Sequence, residues 1–166
     1  TRFLVPNLDT EDFWSLGDEK LRAGRFKECE DGQEQAVGFT SWDDFFDSEF
    51  AVGSYHKGEY VAFNFRMDQR KVPPIILKQY VRRAVEKYRQ EHEGKWPSRQ
   101  ERVEINENMQ NWLLTRVLPQ PSHCEVVWNC AANWMLLGTT STKTMDALLE
   151  LFEHHFGIYP MPLYHF

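Results

Sequence analysis

The sequence has few cysteines and no long apolar segment, and both absences narrow the class of protein. Its three cysteines, Cys29, Cys124 and Cys130, are odd in number and form no C-x-x-C pair. We therefore expect free thiols in a reducing compartment rather than a disulfide framework. No apolar run approaches the roughly 18 residues of a membrane-spanning helix, and the first residues lack the pattern of a signal peptide. These absences predict a soluble cytoplasmic protein without a membrane partner.

The motifs of several enzyme classes are missing as well. The sequence has no glycine-rich phosphate-binding loop, no G-x-S-x-G motif and no Ser-His-Asp order that suggests a triad. We predict no catalytic residues, no cofactor and no small-molecule substrate, although the sequence leaves enzymatic activity open. Zinc is disfavoured, because structural zinc takes close ligand pairs; the possible ligands are His123, Cys124, Cys130, His154 and His155. We predict no metal site.

Charge is present in quantity but is distributed unevenly. The 166 residues carry a formal net charge of −6 and are 42% hydrophobic, which predicts a single folded domain. Residues 71–102 contain nine Lys/Arg and four Asp/Glu, residues 1–70 eight and fifteen, and residues 103–166 two and six. Because a polyanion responds to the local field rather than to the total charge, the segment 71–102 is the candidate binding region.

Hydrophobic periodicity and turn residues predict the order β-α-β-β-β-α-α-β-β-α-β. The predicted strands lie at about 3–5, 35–42, 50–56, 60–67, 124–129, 134–138 and 158–166. The alternation of side chains between two faces is clearest in the predicted strand at 60–67. Val61, Phe63, Phe65 and Met67 point to one face, and Tyr60, Ala62, Asn64 and Arg66 point to the other. Such alternation is typical of an antiparallel sheet with one buried face and one solvated face.

Four helices are predicted from their caps and apolar stripes. The first begins at Asp9 or Thr10, the second at Pro73, the third at the Ser98–Glu101 capping box, and the last at Ser141 or Thr142 with Gly157 as its C-terminal cap. The third is expected to run to about Leu118. The fold class is therefore α+β, with a largely antiparallel sheet, a pair of long helices and a C-terminal helix and strand. We expect one domain over residues 1–166, from which the helical pair at 73–118 can project as an arm.

Several segments, in order along the chain, resemble a known family. They are Val72-Pro73-Pro74-Ile75-Ile76-Leu77-Lys78-Gln79, Leu113-Leu114-Thr115-Arg116-Val117-Leu118, Val127-Trp128-Asn129, Ser141-Thr142-Lys143, Asp146-Ala147-Leu148-Leu149, Phe156-Gly157, Pro160 and Pro162-Leu163, preceded by Phe26-Lys27-Glu28-Cys29 and Gly38-Phe39. Together they resemble the N-terminal half of the RdgC family. Thr115, where the family has proline, Lys27-Glu28 and Phe39 depart from its pattern.

The resemblance implies a function as well as a fold. Members of the family bind DNA without sequence specificity, as dimers that form a ring around the duplex and limit access of the RecA recombinase. We thus expect a nucleoid-associated homo-oligomer that binds duplex DNA in recombination or replication. Two alternatives are a protein-interaction domain that has kept the fold without DNA binding and, from the exonuclease label attached to the family, a metal-dependent exonuclease.

The candidate DNA-binding residues are basic residues in and around the two long helices: Lys71, Lys78, Arg82, Arg89, Lys95, Arg99, Arg102 and Arg116. Lys78, Arg82 and Arg89 lie within about 40° of one another on the first long helix. Such a row can neutralise successive phosphates without reading bases. The alternative is an ordinary solvated helix face on which Glu86 partly compensates Arg82.

Arg116 has a different setting from the other candidates. It shares a helix face with Ile105, Met109, Trp112 and Leu113. That setting favours an arginine at the edge of the core, either snorkelling or paired with a carboxylate. A phosphate contact at an assembly interface is the alternative.

The segment 42–50 combines acidic and aromatic residues. Asp43, Asp44, Asp47 and Glu49 are candidate Mg²⁺ ligands for phosphodiester cleavage, but no recognised spacing or nearby cation accompanies them, which favours an acidic surface. The aromatic residues that could stack on single-stranded bases, or form part of a core or subunit interface, are Trp42, Phe45, Phe46, Phe50 and, outside the segment, Trp96.

Overall fold

The computed structural model describes residues 1–6, 10–51 and 53–163, with the side chains of residues 10–16 excluded. Within these residues the chain forms four helices and seven strands, in the order β1 (Arg2–Leu4), α1 (Thr10–Ala23), β2 (Gln35–Ser41), β3 (His56–Lys57), β4 (Tyr60–Gln69), α2 (Pro74–Glu91), α3 (Arg99–Leu114), β5 (Gln120–Asn129), β6 (Trp134–Leu137), α4 (Thr142–Phe156) and β7 (Met161–Pro162). The predicted α+β class is confirmed. None of the helices in the described part of the chain is long and apolar enough to cross a membrane.

The chain divides into two compact units. The sheet unit comprises Thr1–Glu28, Ala36–Asp68 and Pro121–Phe166, and the helical unit comprises Cys29–Gln35 and Gln69–Gln120. The helical unit therefore contains α2, α3 and the predicted DNA-binding residues. The expectation of one domain with the segment 73–118 as an arm stays a prediction.

The described strands form one sheet in the order β2-β4-β5-β6-β1-β7, with β3 paired to β4. The pairs β1–β6, β1–β7, β3–β4 and β5–β6 are antiparallel. The hairpin of β5 and β6 aligns Val126 with Leu137 and Trp128 with Met135, and all four side chains are buried. This pairing joins the two strands that were predicted at 124–129 and 134–138.

Helix α4 contributes an apolar stripe to the core of the sheet unit. Leu148, Leu149, Phe152 and Phe156 are buried. The ring of Phe152 meets that of Trp128 edge to face, with centroids 5.1 Å apart. Burial of large aromatic rings in such contacts is a major source of stability in a domain of this size.

The helix caps follow the sequence signals. Ser98 Oγ accepts the amide of Glu101, whose carboxylate accepts the amide of Ser98 in return, so the predicted capping box is confirmed. At α4, Ser141 accepts the amide of Thr144, and Gly157 ends the helix in the left-handed conformation, with φ 70°. The predicted cap of α1 is the side chain of Asp9 or Thr10, and neither side chain is among the described parts of the structure.

Four predicted elements were wrong in extent. Of the predicted strand at 50–56, only His56 lies in a strand among the described residues, because Phe50 has φ 51° and residues 53–55 form a turn that the bond from the His56 amide to Gly53 O closes. Strand β5 begins at Gln120, four residues before its predicted start. Helix α3 ends at Leu114, four residues before the predicted end. The predicted closing strand at 158–166 is reduced to Met161–Pro162 among the described residues.

The prediction of a solvated face on β4 was also wrong. Every residue from 61 to 68 is buried, including Asn64, Arg66 and Asp68. Asn64 donates from Nδ2 to Ser41 O, at 2.7 Å. Arg66 donates to both carboxylate oxygens of Asp68, each at 2.7 Å. The Nδ2 group of Asn64 and the guanidinium of Arg66 can be buried because each has a hydrogen-bond partner in the protein, and hydrogen-bonded polar groups can be removed from water at tolerable cost.

Candidate nucleic-acid interface

The helical unit is built on the contact between α2 and α3. The rings of Tyr80 and Trp112 lie 5.4 Å apart, and Tyr88 Oη donates to Glu101 Oε1 at 2.6 Å. The hydrogen bonds from Tyr88 and Ser98 lower the pKa of Glu101 to about 2, and the Glu101 bond raises the pKa of Tyr88. Glu101 therefore joins α2 to the cap of α3 as an ionised group.

The predicted apolar arc of α2 is only partly buried. No side chain of α2 is fully buried, and those that are half-buried include Leu77, Tyr80, Val81, Val85 and Tyr88. The rest of the helix is exposed, including Lys78 and Arg82. A helix with a broad polar surface of this kind leaves its charged residues available to an external partner.

The basic residues of α2 have few acidic partners. In the described part of the chain no carboxylate lies within 4 Å of Lys78 or Arg82, and Glu86 pairs with Arg89 at 3.5 Å instead of with Arg82. A surface groove of about 370 Å³ runs along this helix and is lined by Gln79, Arg82, Arg83, Glu86, Lys87 and Gln90. Three cations and one carboxylate line the groove, which suits an anionic ligand.

The turn between α2 and α3 brings a second group of basic residues together around Trp96. The Arg89 guanidinium lies 4.1 Å from the centre of the Trp96 ring and that of Arg102 lies 6.0 Å from it. Lys95 and Arg99 are exposed at the same turn. The turn thus gathers four of the eight predicted DNA-binding residues beside one exposed tryptophan.

Lys71 and Arg116 lie apart from that group. Lys71 is exposed just before α2. Arg116 is exposed after α3, with its guanidinium 3.8 Å from the centre of the Trp112 ring, and it donates to Trp112 O at 3.1 Å. Its partner is thus the tryptophan one helical turn away.

Sequence reasoning placed Trp112 on the helix face of Arg116 without predicting that the guanidinium lies over its ring, and it missed the contact of Arg89 with Trp96. The spacing of Trp112 and Arg116 at i and i+4 is a usable signal, since residues four apart meet on a helix surface. The contact of Arg89 with Trp96 crosses the end of a helix and a turn. No local spacing rule finds it.

The acidic segment of the sheet unit has other partners for its carboxylates. Asp43 pairs with Lys57 at 2.9 Å and Glu49 with Arg25 at 3.2 Å. Asp44 and Asp47 each accept a backbone amide two residues further on, at 2.9 Å. No group of three or more His, Cys, Asp or Glu residues placed to hold a metal ion occurs among the described residues.

The cysteines and the remaining aromatic candidates are mostly parts of the core. Cys124 and Cys130 are buried, burial raises the pKa of Cys130 to about 12, and Cys29 is half-buried. Phe50 is buried, and Phe45 stacks on His123 with centroids 4.3 Å apart. Phe46 is exposed and lies over the Arg66 guanidinium.

The fold and this surface define an α+β protein with an antiparallel sheet and a basic helical pair. Comparison with protein families agrees with that description: the family model described as "Putative exonuclease, RdgC" matches residues 9–166. The chain belongs to the RdgC family. A search of curated proteins finds no match to this sequence.

Proposed function

We propose that this protein binds DNA without reading its sequence and acts in recombination or replication by limiting access of RecA to DNA. The contact surface is formed by Lys71, Lys78, Arg82, Arg89, Lys95, Arg99, Arg102 and Arg116. Membership of the RdgC family supports this proposal. Duplex DNA is the expected partner, and a homo-oligomer is the expected form.

The observation that carries the proposal is the exposed cationic row on α2. Lys78 and Arg82 are separated by about 6 Å along the helix axis, and Arg89 follows about 10 Å further on. Lys78 and Arg82 are exposed and are free of carboxylates within 4 Å among the described residues. A row of available cations binds a phosphate backbone by releasing its counterions.

The arrangement supports the proposal that the protein binds DNA without reading its sequence. Contacts to phosphates position a protein on DNA but carry no direct sequence information. The row on α2 offers lysine and arginine on one surface, and charge is the property that these residues share. Binding is therefore expected to weaken steeply with salt and to vary little between sequences.

A salt titration with a fluorescent DNA duplex tests the proposal. The variant Lys78→Gln/Arg82→Gln removes two charges from the row and spares Arg89, which contacts Trp96. The matched control, Lys27→Gln/Lys143→Gln, removes two charges from exposed residues of the sheet unit. Anisotropy is recorded from low to moderate salt without metal ions.

The variant in the row is expected to weaken binding and to reduce the slope of log K against log salt by about 1 for each residue removed. The control is expected to keep the slope of the original protein. Equal slopes in the two variants would reject the row on α2 as the contact surface. No binding of the original protein at low salt would reject DNA binding itself.

A protein-interaction domain is a second candidate, favoured by exposed apolar side chains in the helical unit. Ile75 is 76% exposed and Leu118 is 82% exposed. Large apolar side chains left in water are frequent in surfaces that contact another protein. Light scattering of the original protein and of Ile75→Ser/Leu118→Ser distinguishes self-association through these residues from a monomer.

A further inference from the structure

We propose that Trp96 stacks on an unpaired nucleobase, so that the turn at residues 92–98 forms a contact for single-stranded DNA. This inference deepens the proposed function and rests on it. It assigns to Trp96 a role that phosphate binding by the surrounding cations does not require.

The exposure of Trp96 is the first observation. The side chain is 59% exposed, although the Arg89 guanidinium lies 4.1 Å from the centre of its ring. More than half of the residue therefore remains in water. An indole with this exposure has surface left for a further stacking contact.

The backbone of the turn is fixed before any ligand arrives. The amide of Gly94, which has φ 83°, bonds to Arg89 O at 2.7 Å, and the amide of Lys95 bonds to His92 O at 3.0 Å. Pro97 is buried, and its carbonyl accepts Arg102 Nε at 3.2 Å. Preorganisation of this kind lowers the entropic cost of binding.

The charges around Trp96 select the chemistry of the ligand. Lys95 and Arg99, one and three residues from Trp96 along the chain, are exposed, and the Arg102 guanidinium lies 6.0 Å from the centre of the Trp96 ring. A groove of about 400 Å³ continues along α3 and is lined by Arg99, Arg102, Val103, Asn106 and Glu107. An aromatic platform bordered by cations matches a nucleotide, whose flat base can stack while its phosphate meets a positive charge.

Single-stranded DNA fits this site better than duplex DNA. A paired base within a duplex already has stacking neighbours on both faces, whereas an unpaired base offers a free face to an aromatic side chain. Stacking of this type tolerates every base. The contact is thus compatible with binding that does not depend on sequence.

The decisive experiment compares two labelled oligonucleotides of about 16 nucleotides with the same number of phosphates. One is oligothymidine, and the other carries abasic spacers at its central positions. The original protein is expected to bind oligothymidine roughly fivefold more tightly or better, as removal of one stacked base predicts. Trp96→Ala is expected to remove this preference, and Trp96→Phe to keep part of it.

Phe46→Ala is the matched control. Phe46 is also 59% exposed and also lies over an arginine, but the charged residues nearest to it in the sequence, Asp44 and Asp47, are acidic. The control is expected to keep the preference for oligothymidine. Far-ultraviolet circular dichroism and a thermal melt establish that each variant is folded.

The outcomes separate this inference from the proposed function. Equal affinity of the original protein for the two oligonucleotides, with salt-dependent duplex binding intact, would overturn the stacking role and leave DNA binding standing. A preference that survives Trp96→Ala would also overturn it. If Trp96→Ala instead changes the oligomeric mass and leaves the preference unchanged, Trp96 contacts a protein and the inference fails. If the protein binds no DNA at all, the proposed function is rejected, and the stacking role of Trp96 is rejected with it.

Discussion

Two arginines, Arg66 in the sheet unit and Arg89 in the helical unit, lie over aromatic rings. They differ in how a carboxylate compensates their positive charge. Arg66 is held 4.1 Å from the ring centre of Phe26, and Asp68 binds it through two hydrogen bonds. Arg89 lies at the same distance from Trp96, and its acidic contact is the exposed Glu86 at 3.5 Å.

The difference shows that a guanidinium over an aromatic ring has no fixed role. Where a carboxylate neutralises the arginine and both are buried, the group belongs to the folded core. Where the carboxylate is solvated and makes only one longer contact, the cation keeps a field outside the protein and can attract an anion. The exposure of the pair, 10% and 7% for Arg66 and Asp68, decides between the two roles.

The two arginines are expected to differ most when the acidic partner of each is removed. Asp68→Asn leaves the buried charge of Arg66 uncompensated and is expected to lower the free energy of unfolding by about 3–5 kcal/mol. Glu86→Gln affects a solvated pair and is expected to lower it by less than about 1 kcal/mol. Urea denaturation followed by circular dichroism measures both. Equal midpoints for the two variants would show that the pair of Arg66 and Asp68 is not the stabilising one.

A second change tests the backbone that holds Phe26 against Arg66. A Cβ atom at residue 38 would collide with the backbone of Phe26, so Gly38→Ala is expected to lower the free energy of unfolding by roughly 3 kcal/mol. Gly138→Ala is the control, because its Cβ would meet Glu125 Cβ at an ordinary 3.4 Å. The same urea titration applies. A Gly38→Ala protein as stable as the control would mean that the backbone at residue 38 can move away from that of Phe26 without loss of stability.

In the helical unit, a smaller change in stability is expected, and it depends on pH through the carboxylate of Glu101. The pKa of Glu101 falls from 4.5 to about 2 in the folded protein, because Tyr88 and Ser98 donate hydrogen bonds to its carboxylate. The ionised form therefore stabilises the fold above the ordinary pKa, and this stabilisation is lost as pH falls from about 4.5 towards 2.

Glu101→Gln isolates that charge, because glutamine retains a side-chain oxygen that can accept the amide of Ser98. The melting temperature of the variant is expected to lie below that of the original protein at pH 7, and the gap is expected to close as the solution is acidified. Thermal melts at several pH values measure the gap. A gap that does not change with pH would assign the effect to side-chain shape instead of ionisation.

Local signals predicted most helices and several strands, and failed where burial depended on distant residues. Ser98 with Glu101, Ser141 and Gly157 mark helix ends through hydrogen bonds within a few residues, so the sequence carries their signal. On β4, Arg66 resembles a solvent-facing residue until Phe26 and Phe46 are placed around it. The alternation of polar and apolar residues along a strand cannot distinguish a solvent-exposed face from a buried face whose polar groups have hydrogen-bond partners in the protein.

In the candidate site, too, local signals predicted some features and missed those that depend on residues further along the chain. Helical periodicity placed Lys78 and Arg82 on the exposed surface of α2, as the structure has them. It gave no indication that Arg89 is partly covered by Trp96, because the contact depends on the path of the turn through Gly94 and Pro97. Whether these residues bind DNA stays a prediction.

The outer border of the sheet has a consequence for solubility at high concentration. On β2, the amide of Phe39 is bonded to Gly24 O at 2.8 Å and that of Ser41 to Asp47 O at 2.7 Å. At the opposite border, β7 has two residues, one of them Pro162, which has no amide hydrogen to donate. Unpaired strand edges are the usual templates for fibrils. Among the described residues, these contacts on β2 and the shortness of β7 make both borders poor templates for the addition of a further strand.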